Sequence, residues 1–507
     1  MQISGVLKGN ERESQDIACQ DKAKHSLRVL LIQPPRTAGV ASLFHQVDET
    51  SEGIGYKPPL GILYVATVLK KHSNHQIKVI DAIAQGLQTE DIIQEVLSFK
   101  PDVVGISAWT DFWYPAYKVG EQIKQALPET HLAYGGPHLG IYPKETLEIS
   151  FVDSVIVGDG EIPFLRLCNL IANDETDDEF PGLHFKQHGL RQGHDTYYIQ
   201  KELDDIPIPD RTFLPIELYS SVLGKNDYIT TMITSRGCPF KCTFCKLNFQ
   251  KTLCHSAERV VEEFQRIAGL GIREVEIYDD TFTWSKERLK DICRGLIKAD
   301  LNIEWAVRDR VSTADVELYA LMYEAGCRRI HLGIESGVQH VIDRMRKQIK
   351  VEQAQKAVKL AKNAGLTVLT YFMFGNLDET LEDMHKTIDF AMELDADYAT
   401  FSVTIPYAGT EMYEEALSTG LIADDYWKEY ALSPVPNFKP PKLIENHASM
   451  NQMIDLSNEG IRRFYFRPRY ILRQVKSLGG IGEFFRKGRM GLQLLSGLVR
   501  APSVYTK

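Results

Sequence analysis

Apolar and polar positions alternate along this chain in two successive blocks of the same kind. In the first, short apolar runs at 27–32, 76–81, 102–107, 131–134 and 153–157 have the length of strands. Helix-period segments lie between them. Residues 60–69 are apolar on nearly every face, which predicts a buried helix, and 117–127 are amphipathic. Short apolar strands alternating with helices predict an α/β fold with a doubly wound, Rossmann-like parallel sheet. The second block predicts strands at 228–234, 274–280, 303–308, 329–336, 366–374 and 398–404, with helices at 257–269, 286–299, 314–325, 351–364 and 379–394. Six strands with intervening helices predict a partial parallel barrel. Strand parity turns Val275, Ile277, Trp305, Val307, Ile330, Leu332 and Ile334 toward the helices. It leaves Glu276, Tyr278, Asp280, Glu304, Arg308, Arg310, His331, Gly333 and Glu335 on the lumen side.

The same pattern sets the boundaries. Residues 1–26 are polar and aperiodic and are expected to be disordered; 27–175 form the first domain, 176–226 a linker, 227–420 the barrel and 421–507 a helical C-terminal region. The linker follows the acidic run at 173–179 and contains Ile206-Pro207-Ile208-Pro209-Asp210. Stretches 462–473 and 484–490 are basic and aromatic. Two readings of this tail stand open: a helical lid docked on the barrel, or peripheral contact with an anionic membrane surface.

Composition narrows the class. The 507 residues are 44 % hydrophobic and 25 % charged, ordinary for a globular protein, and the formal net charge of −10 lends no support to a nucleic-acid role. No apolar leader and no run of about 18 apolar residues is present, so neither secretion nor a membrane span is expected. Five of the eight cysteines are scattered (Cys19, Cys168, Cys254, Cys293, Cys327), which suits a reducing cytoplasm better than a disulfide framework.

The other three cysteines stand together in Ser235-Arg236-Gly237-Cys238-Pro239-Phe240-Lys241-Cys242-Thr243-Phe244-Cys245, a C-x₃-C-x₂-C loop after a strand-like run. Three thiolates on one loop can hold three irons of a 4Fe–4S cubane and leave the fourth iron open for a small molecule. Arg236 and Lys241 flank the loop and are expected to favour the thiolates. Unrelated buried cysteines, or a zinc site completed by Cys254 or His255, are the other readings of the residues.

The loop resembles the signature of the radical S-adenosylmethionine (SAM) enzymes. That resemblance implies a partial TIM-type barrel, cluster ligation by Cys238, Cys242 and Cys245, and SAM chelating the open iron, where one electron cleaves it to a 5′-deoxyadenosyl radical. Phe244 within the loop and Asp280 in Asp279-Asp280-Thr281-Phe282 are then expected beside SAM, the carboxylate meeting its ammonium. Arg310, five residues after Trp305, and Glu335 and Ser336 in Gly333-Ile334-Glu335-Ser336-Gly337 resemble further SAM-contacting elements of the family. Phe374-Gly375-Asn376-Leu377-Asp378-Glu379-Thr380 and Pro406-Tyr407-Ala408-Gly409-Thr410 resemble family turns, with Leu377 and Ala408 where proline is usual. Glu379 also reads as a helix-start residue, and His331 as a satisfied barrel histidine.

The first block resembles the cobalamin-binding domain fused to many such enzymes. Ser107-Ala108-Trp109-Thr110 and Gly135-Gly136-Pro137-His138 occupy the family's Ser-x-Leu and Gly-Gly relation, followed by Gly158-Asp159-Gly160-Glu161. Pro34, Ser107, Trp109, Thr110, Gly135, Gly136, His138, Gly158 and Glu161 are the expected cobalamin contacts, with glycines admitting close backbone approach. The histidine element that ligates cobalt in other cobalamin domains is replaced by Gln33-Pro34-Pro35, which favours cobalamin without a histidine lower ligand. A flavodoxin-like domain that binds something else remains the other reading, and His138 can equally make ordinary hydrogen bonds. Similar chains include the anaerobic magnesium-protoporphyrin ester cyclases and hopanoid-modifying enzymes. The resemblance implies a cobalamin-dependent radical SAM enzyme that methylates an unactivated carbon of a small-molecule or lipid-like substrate, fed by a donor such as flavodoxin or ferredoxin. An oxidative cyclase, or a non-catalytic iron–sulfur redox or sensor protein, are the alternatives.

Overall fold

The computed structural model describes residues 24–37, 40, 55–175, 179–191, 193–221, 223–224, 226, 228–246, 251–440, 445 and 447–476. The stretch 1–23, expected to be disordered, and the basic stretch 484–490 lie outside the described residues.

The first block folds as a six-stranded sheet of β1 (Arg28–Gln33), β2 (Gln76–Asp81), β3 (Val103–Ser107), β4 (His131–Gly135), β5 (Ser154–Ile156) and β6 (Leu183–Phe185) in the order β2-β1-β3-β4-β5-β6. The first five are parallel and β6 is antiparallel to β5. Alternation along β1 sorts its side chains between two cores. Leu30 and Ile32 join Ile92, Trp113 and Ile123 on one face, and Val29 and Leu31 join Leu63, Val68 and Leu167 on the other. Chain direction across the sheet reverses between β1 and β3, and ligands of such sheets lie outside the carboxyl ends at that point.

The second block forms β7 (Ile229–Met232), a small hairpin of β8 (Ser235–Arg236) and β9 (Leu253–Cys254), then β10 (Glu274–Ile277), β11 (Glu304–Arg310), β12 (Cys327–Glu335), β13 (Thr367–Phe374) and β14 (Tyr398–Val403). Its sheet is parallel throughout, ordered β14-β13-β12-β11-β10-β7. Four of the crossover helices begin where hydroxyl or carboxylate side chains accept their first amides: Ser256, Ser285, Asp315 and Thr380. Trp305, Val307, Ile330, Leu332 and Ile334 are buried against those helices, as parity requires.

Two segments tie the blocks together. In the 176–226 stretch, Arg211 is buried, donating to Thr230 Oγ1 (2.8 Å), Thr231 O (2.7 Å) and Glu263 Oε1 (2.6 Å) beside β7. Tyr219 donates to the buried Asp81 at the end of β2 (3.0 Å). Chain beyond β14 returns to the first block: Met412, Tyr413, Trp427 and Tyr430 share its core, and Trp113 Nε1 donates to Ala431 O (3.0 Å). Nothing in the local pattern of 176–226 or 406–432 announces these long-range contacts.

The described part of the basic tail docks on the outside of the barrel. The helix Met450–Tyr465 lies on β14, close enough that a Cβ at Gly460 would stand 2.9 Å from the Phe401 ring. Arg463 pairs with Asp389 (2.6 Å) and Arg473 with Asp395 (3.0 Å). Among the described residues no helix is long and apolar enough to cross a membrane.

Candidate active site

The cysteine loop is held from beneath by Asp279. This buried carboxylate accepts from Thr234 N (2.6 Å), Thr234 Oγ1 (2.5 Å) and Ser235 Oγ (2.7 Å), which fixes the turn out of β7. Gly237, at φ +84°, makes the left-handed step before Cys238 that side chains resist. Thr243 N donates to Met345 O (3.0 Å), and Met412 N donates to Thr243 O (2.9 Å), so the loop is also pinned by the end of the helix Gln339–Arg344 and by the helix Glu411–Ser418.

Within the loop Cys238 is buried with Sγ 3.5 Å from Thr281 Oγ1, and Cys242 Sγ lies 3.6 Å from Arg310 Nη1. Loss of water, then Cys242, Asp280 and Cys238 nearby, push the Cys245 thiol up to about 12. The expectation that Arg236 favours the thiolates is therefore corrected: Arg236 is spent on Asp159 and Glu161, and the guanidinium at the thiols is that of Arg310. The donor set fits a cubane, with three thiols able to take one iron each. Among the described residues no three His, Cys, Asp or Glu side chains stand in position for a single ion, as zinc requires. Of the two suggested fourth zinc ligands, Cys254 is exposed, and His255 bonds Asp204 through Nδ1 (2.9 Å) with its Nε2 unpartnered among the described residues.

Four of the five residues expected at SAM ring the loop. Asp280 is exposed and accepts the Gly237 amide. Arg310 lies over the Phe240 ring (3.6 Å) and donates to Lys347 O. Its Nε has no partner among the described residues. Glu335 sits at a β-bulge with φ +72°, an uncommon conformation for a side-chain-bearing residue, and pairs with Lys347 Nζ at 2.7 Å. Phe244 is half-buried, 5.6 Å from the same Lys347 nitrogen. Ser336 is placed otherwise. It is buried on the helix side, Oγ 3.0 Å from Thr387 Oγ1 and accepting Val338 N (3.2 Å), because parity turns it outward where Glu335 turns in. Lys347 and Asp279 went unread in the sequence: a lysine after a short helix and the first of two aspartates carry no signal of this placement.

The residues expected at cobalamin sort by their surroundings. Pro34 follows β1, Ser107 ends β3 beside Gly135 of β4, and Trp109 is 47 % exposed above them. A Cβ at Gly135 would meet nothing within 4 Å, so this ledge is open. Gly136 and Gly158 are different. At φ +100° and +101°, their added Cβ atoms would strike Ala108 O (2.8 Å) and Tyr198 O (2.1 Å), so neighbouring backbone, not a ligand, demands these glycines. Thr110 and His138 are buried and bonded to each other (Oγ1 to Nδ1, 3.1 Å). His138 stacks on Trp113 at 4.2 Å, and burial drops its pKa to about 3. It is a neutral core residue rather than a surface contact. Glu161 begins the helix Glu161–Ala172, buried, and is bound by Arg236 rather than open to a ligand.

The carboxyl ends of the two sheets face each other. Arg236, entering the cysteine loop, bridges Asp159 Oδ1 (2.9 Å) and Glu161 Oε1 (2.5 Å) after β5. Tyr407, after β14, bonds Thr110 and Asp111 after β3. The loop carrying the three cysteines and the ledge at Gly135 thus both lie on the facing ends of the two sheets. An open ledge one strand from the switch point and an all-thiol loop opposite it suit a bulky cofactor and a cluster, respectively.

Comparison with known proteins agrees. Residues 232–391 match the Radical SAM superfamily and 54–167 the B12 binding domain. An uncharacterized methyltransferase of Pyrococcus horikoshii is 33 % identical over 457 residues, covering 89 % of this chain and 95 % of the relative. The anaerobic magnesium-protoporphyrin IX monomethyl ester cyclase of Rubrivivax gelatinosus is 24 % identical, covering 88 % and 78 %. The solved radical SAM methyltransferase TsrM from Kitasatospora setae shares the fold, with a TM-score of 0.63 at 18 % identity over 77 % of each chain. The chain therefore belongs to the cobalamin-binding radical SAM enzymes, whose cofactors are a 4Fe–4S cluster, SAM and cobalamin.

Proposed function

We propose that the chain is a C-methyltransferase acting on an unactivated carbon of a small molecule. The observation that carries this reading is that the cysteine loop and the open Gly135 ledge stand on the facing ends of the two sheets, joined by Arg236 to Asp159 and Glu161. When bound, the cofactors supply hydrogen-atom abstraction and a transferable methyl group. The residues of the chain hold and orient them. In this reading Cys238, Cys242 and Cys245 hold the cluster, with Arg310 against the Cys242 sulfur. Asp280 presents a carboxylate to the SAM ammonium, and Arg310, Phe244 and the Glu335–Lys347 pair close the pocket round its other end. Pro34, Ser107, Trp109 and Gly135 carry the cobalamin face. A methyltransferase at 33 % identity over most of the chain supports methyl transfer over cyclisation. An external one-electron donor, a flavodoxin or ferredoxin, completes the scheme. No membrane role is assigned to 462–473, since Arg463 and Arg473 within it are held by barrel carboxylates.

Anaerobic reconstitution with iron, sulfide, cobalamin, SAM and a reductant tests the reading. Formation of 5′-deoxyadenosine together with S-adenosylhomocysteine supports methyl transfer; 5′-deoxyadenosine alone points to cyclisation or another radical outcome. Neither product would refute the enzymatic assignment. Cys242→Ser is expected to abolish both products and to lower bound iron.

A further inference from the structure

The barrel lumen below the cysteine loop is built in layers. At the top stand Arg310, Glu335 and Lys347. At the bottom, Glu274 and Glu276 meet Arg329 at 3.6 and 2.8 Å, and Lys57, reaching in from the first block, lies 3.8 Å from Glu276. Two carboxylates and two cations balance there, and Glu274, Glu276 and Arg329 are all buried. Arg308 lies between these layers, two residues before Arg310 and so roughly 6.6 Å deeper along the strand. It is half-buried, and its guanidinium lies over the Tyr278 ring at 3.7 Å. Among the described residues no carboxylate stands within ion-pair distance of it. Arg308 is thus a lumen cation without a carboxylate partner among the described residues, while the carboxylate of Asp280 stands apart beside the cysteine loop.

A second observation concerns a proton. Arg329 Nε donates to His331 Nε2 (3.0 Å). Burial, then Arg329 and Arg308, depress the His331 pKa to about 3, so the ring is neutral and carries its one proton on Nδ1. That Nδ1 lies 2.8 Å from the Tyr371 hydroxyl and therefore donates to it. Tyr371 accepts, and its own O–H proton is left to point elsewhere. Arg308 of β11 is in register with His331 of β12, whose ring meets the Tyr371 hydroxyl, so the three side chains share one level of the lumen face. Tyr278 offers no second donor, because its hydroxyl is given to Glu276 (3.2 Å).

We propose that Arg308 and Tyr371 form an anion site in the middle of the lumen that takes a carboxylate or phosphonate-type group of the substrate. The inference rests on the enzymatic reading above and adds the substrate's chemical class: an acidic small molecule, held by its anionic end with the reacting carbon raised toward the cysteine loop. A wholly apolar substrate would leave the Arg308 charge desolvated and unpaired.

Isothermal titration of the reconstituted, SAM-loaded protein with methylphosphonate and with propionate tests it, with propionamide as the neutral control. Saturable binding of at least one anion and none of propionamide is expected. Arg308→Gln should weaken it at least tenfold, Arg308→Lys less, and Tyr371→Phe three- to tenfold, while a separate SAM titration of each variant stays within twofold of wild type and reports an intact fold. No saturable anion binding by the wild type, or equal binding by Arg308→Gln, overturns the site. A tenfold loss of SAM affinity in Arg308→Gln also overturns it, because the anion would then be the SAM carboxylate. Failure of the wild type to make 5′-deoxyadenosine refutes the enzymatic reading separately, whatever the anion titration gives.

Discussion

Arg236→Gln should loosen the joint between the cysteine loop and the first block. The guanidinium bridges two carboxylates, Asp159 Oδ1 at 2.9 Å and Glu161 Oε1 at 2.5 Å, with side chains 24 % and 6 % exposed. Removing one member of a buried ion pair costs about 3–5 kcal/mol, because a charge is left without a partner. Asp159 is partly solvated, so the lower end, about 3 kcal/mol, applies here. That corresponds to roughly 150-fold in a local opening equilibrium. Hydrogen–deuterium exchange reads it directly. Peptides covering 154–166 and 229–246 should exchange roughly 150-fold faster in the variant, while peptides from β13 stay protected. Adding Glu161→Gln removes the more buried of the two uncompensated charges and should restore part of the protection, about 1–2 kcal/mol. An exchange rate within threefold of wild type would refute the reasoning, and so would a double variant looser than the single one.

Three further outcomes follow from the geometry. Arg310→Gln keeps the three thiols but removes the guanidinium beside Cys242, and SAM affinity measured by equilibrium dialysis should fall about 10- to 100-fold, the worth of a charged hydrogen bond or two. Ser336→Ala should leave SAM binding unchanged and lower stability by about 1 kcal/mol in urea unfolding, since its hydroxyl serves Thr387 and Val338. Acid should destabilise the fold below pH 6.5. Burial holds His138 and His331 at about 3, and His131 and His255 at about 4, so all four stay neutral when folded and gain protons on unfolding. Their contribution is present above the unfolded value near 6.5 and is lost as pH falls toward 4. Burial raises Asp309 to about 6 and Glu379 to about 7, and these two take protons first in the folded state and oppose the trend. A net uptake of about two protons on unfolding at pH 5, read from the slope of stability against pH, is expected from four groups against two.

The chain's periodicity alone determined the two sheets. Continuous apolar runs such as 29–32 and 103–106 have no polar side to show water, so they had to become strands covered on both faces. The cysteine loop was equally legible, because three thiols within eight residues are a local signal. Strand parity alone turns Arg308, Arg310, His331 and Glu335 into the lumen and Ser336 away from it.

Tertiary structure alone decided what those side chains meet. Arg236 reads locally as a cation for thiolates, yet its partners Asp159 and Glu161 lie more than seventy residues away. Gly158 reads as room for a ligand, yet its backbone is pressed against Tyr198. His138 reads as a loop histidine, yet it is sealed beneath Trp113. The balance of charge in the lumen depends on Lys57, supplied by the other block, and so could not be summed along any one strand. Local pattern fixes which way a side chain points. Only the packing of distant segments fixes which charge it faces and how much water is left to screen it, and those two quantities set the chemistry of the cleft.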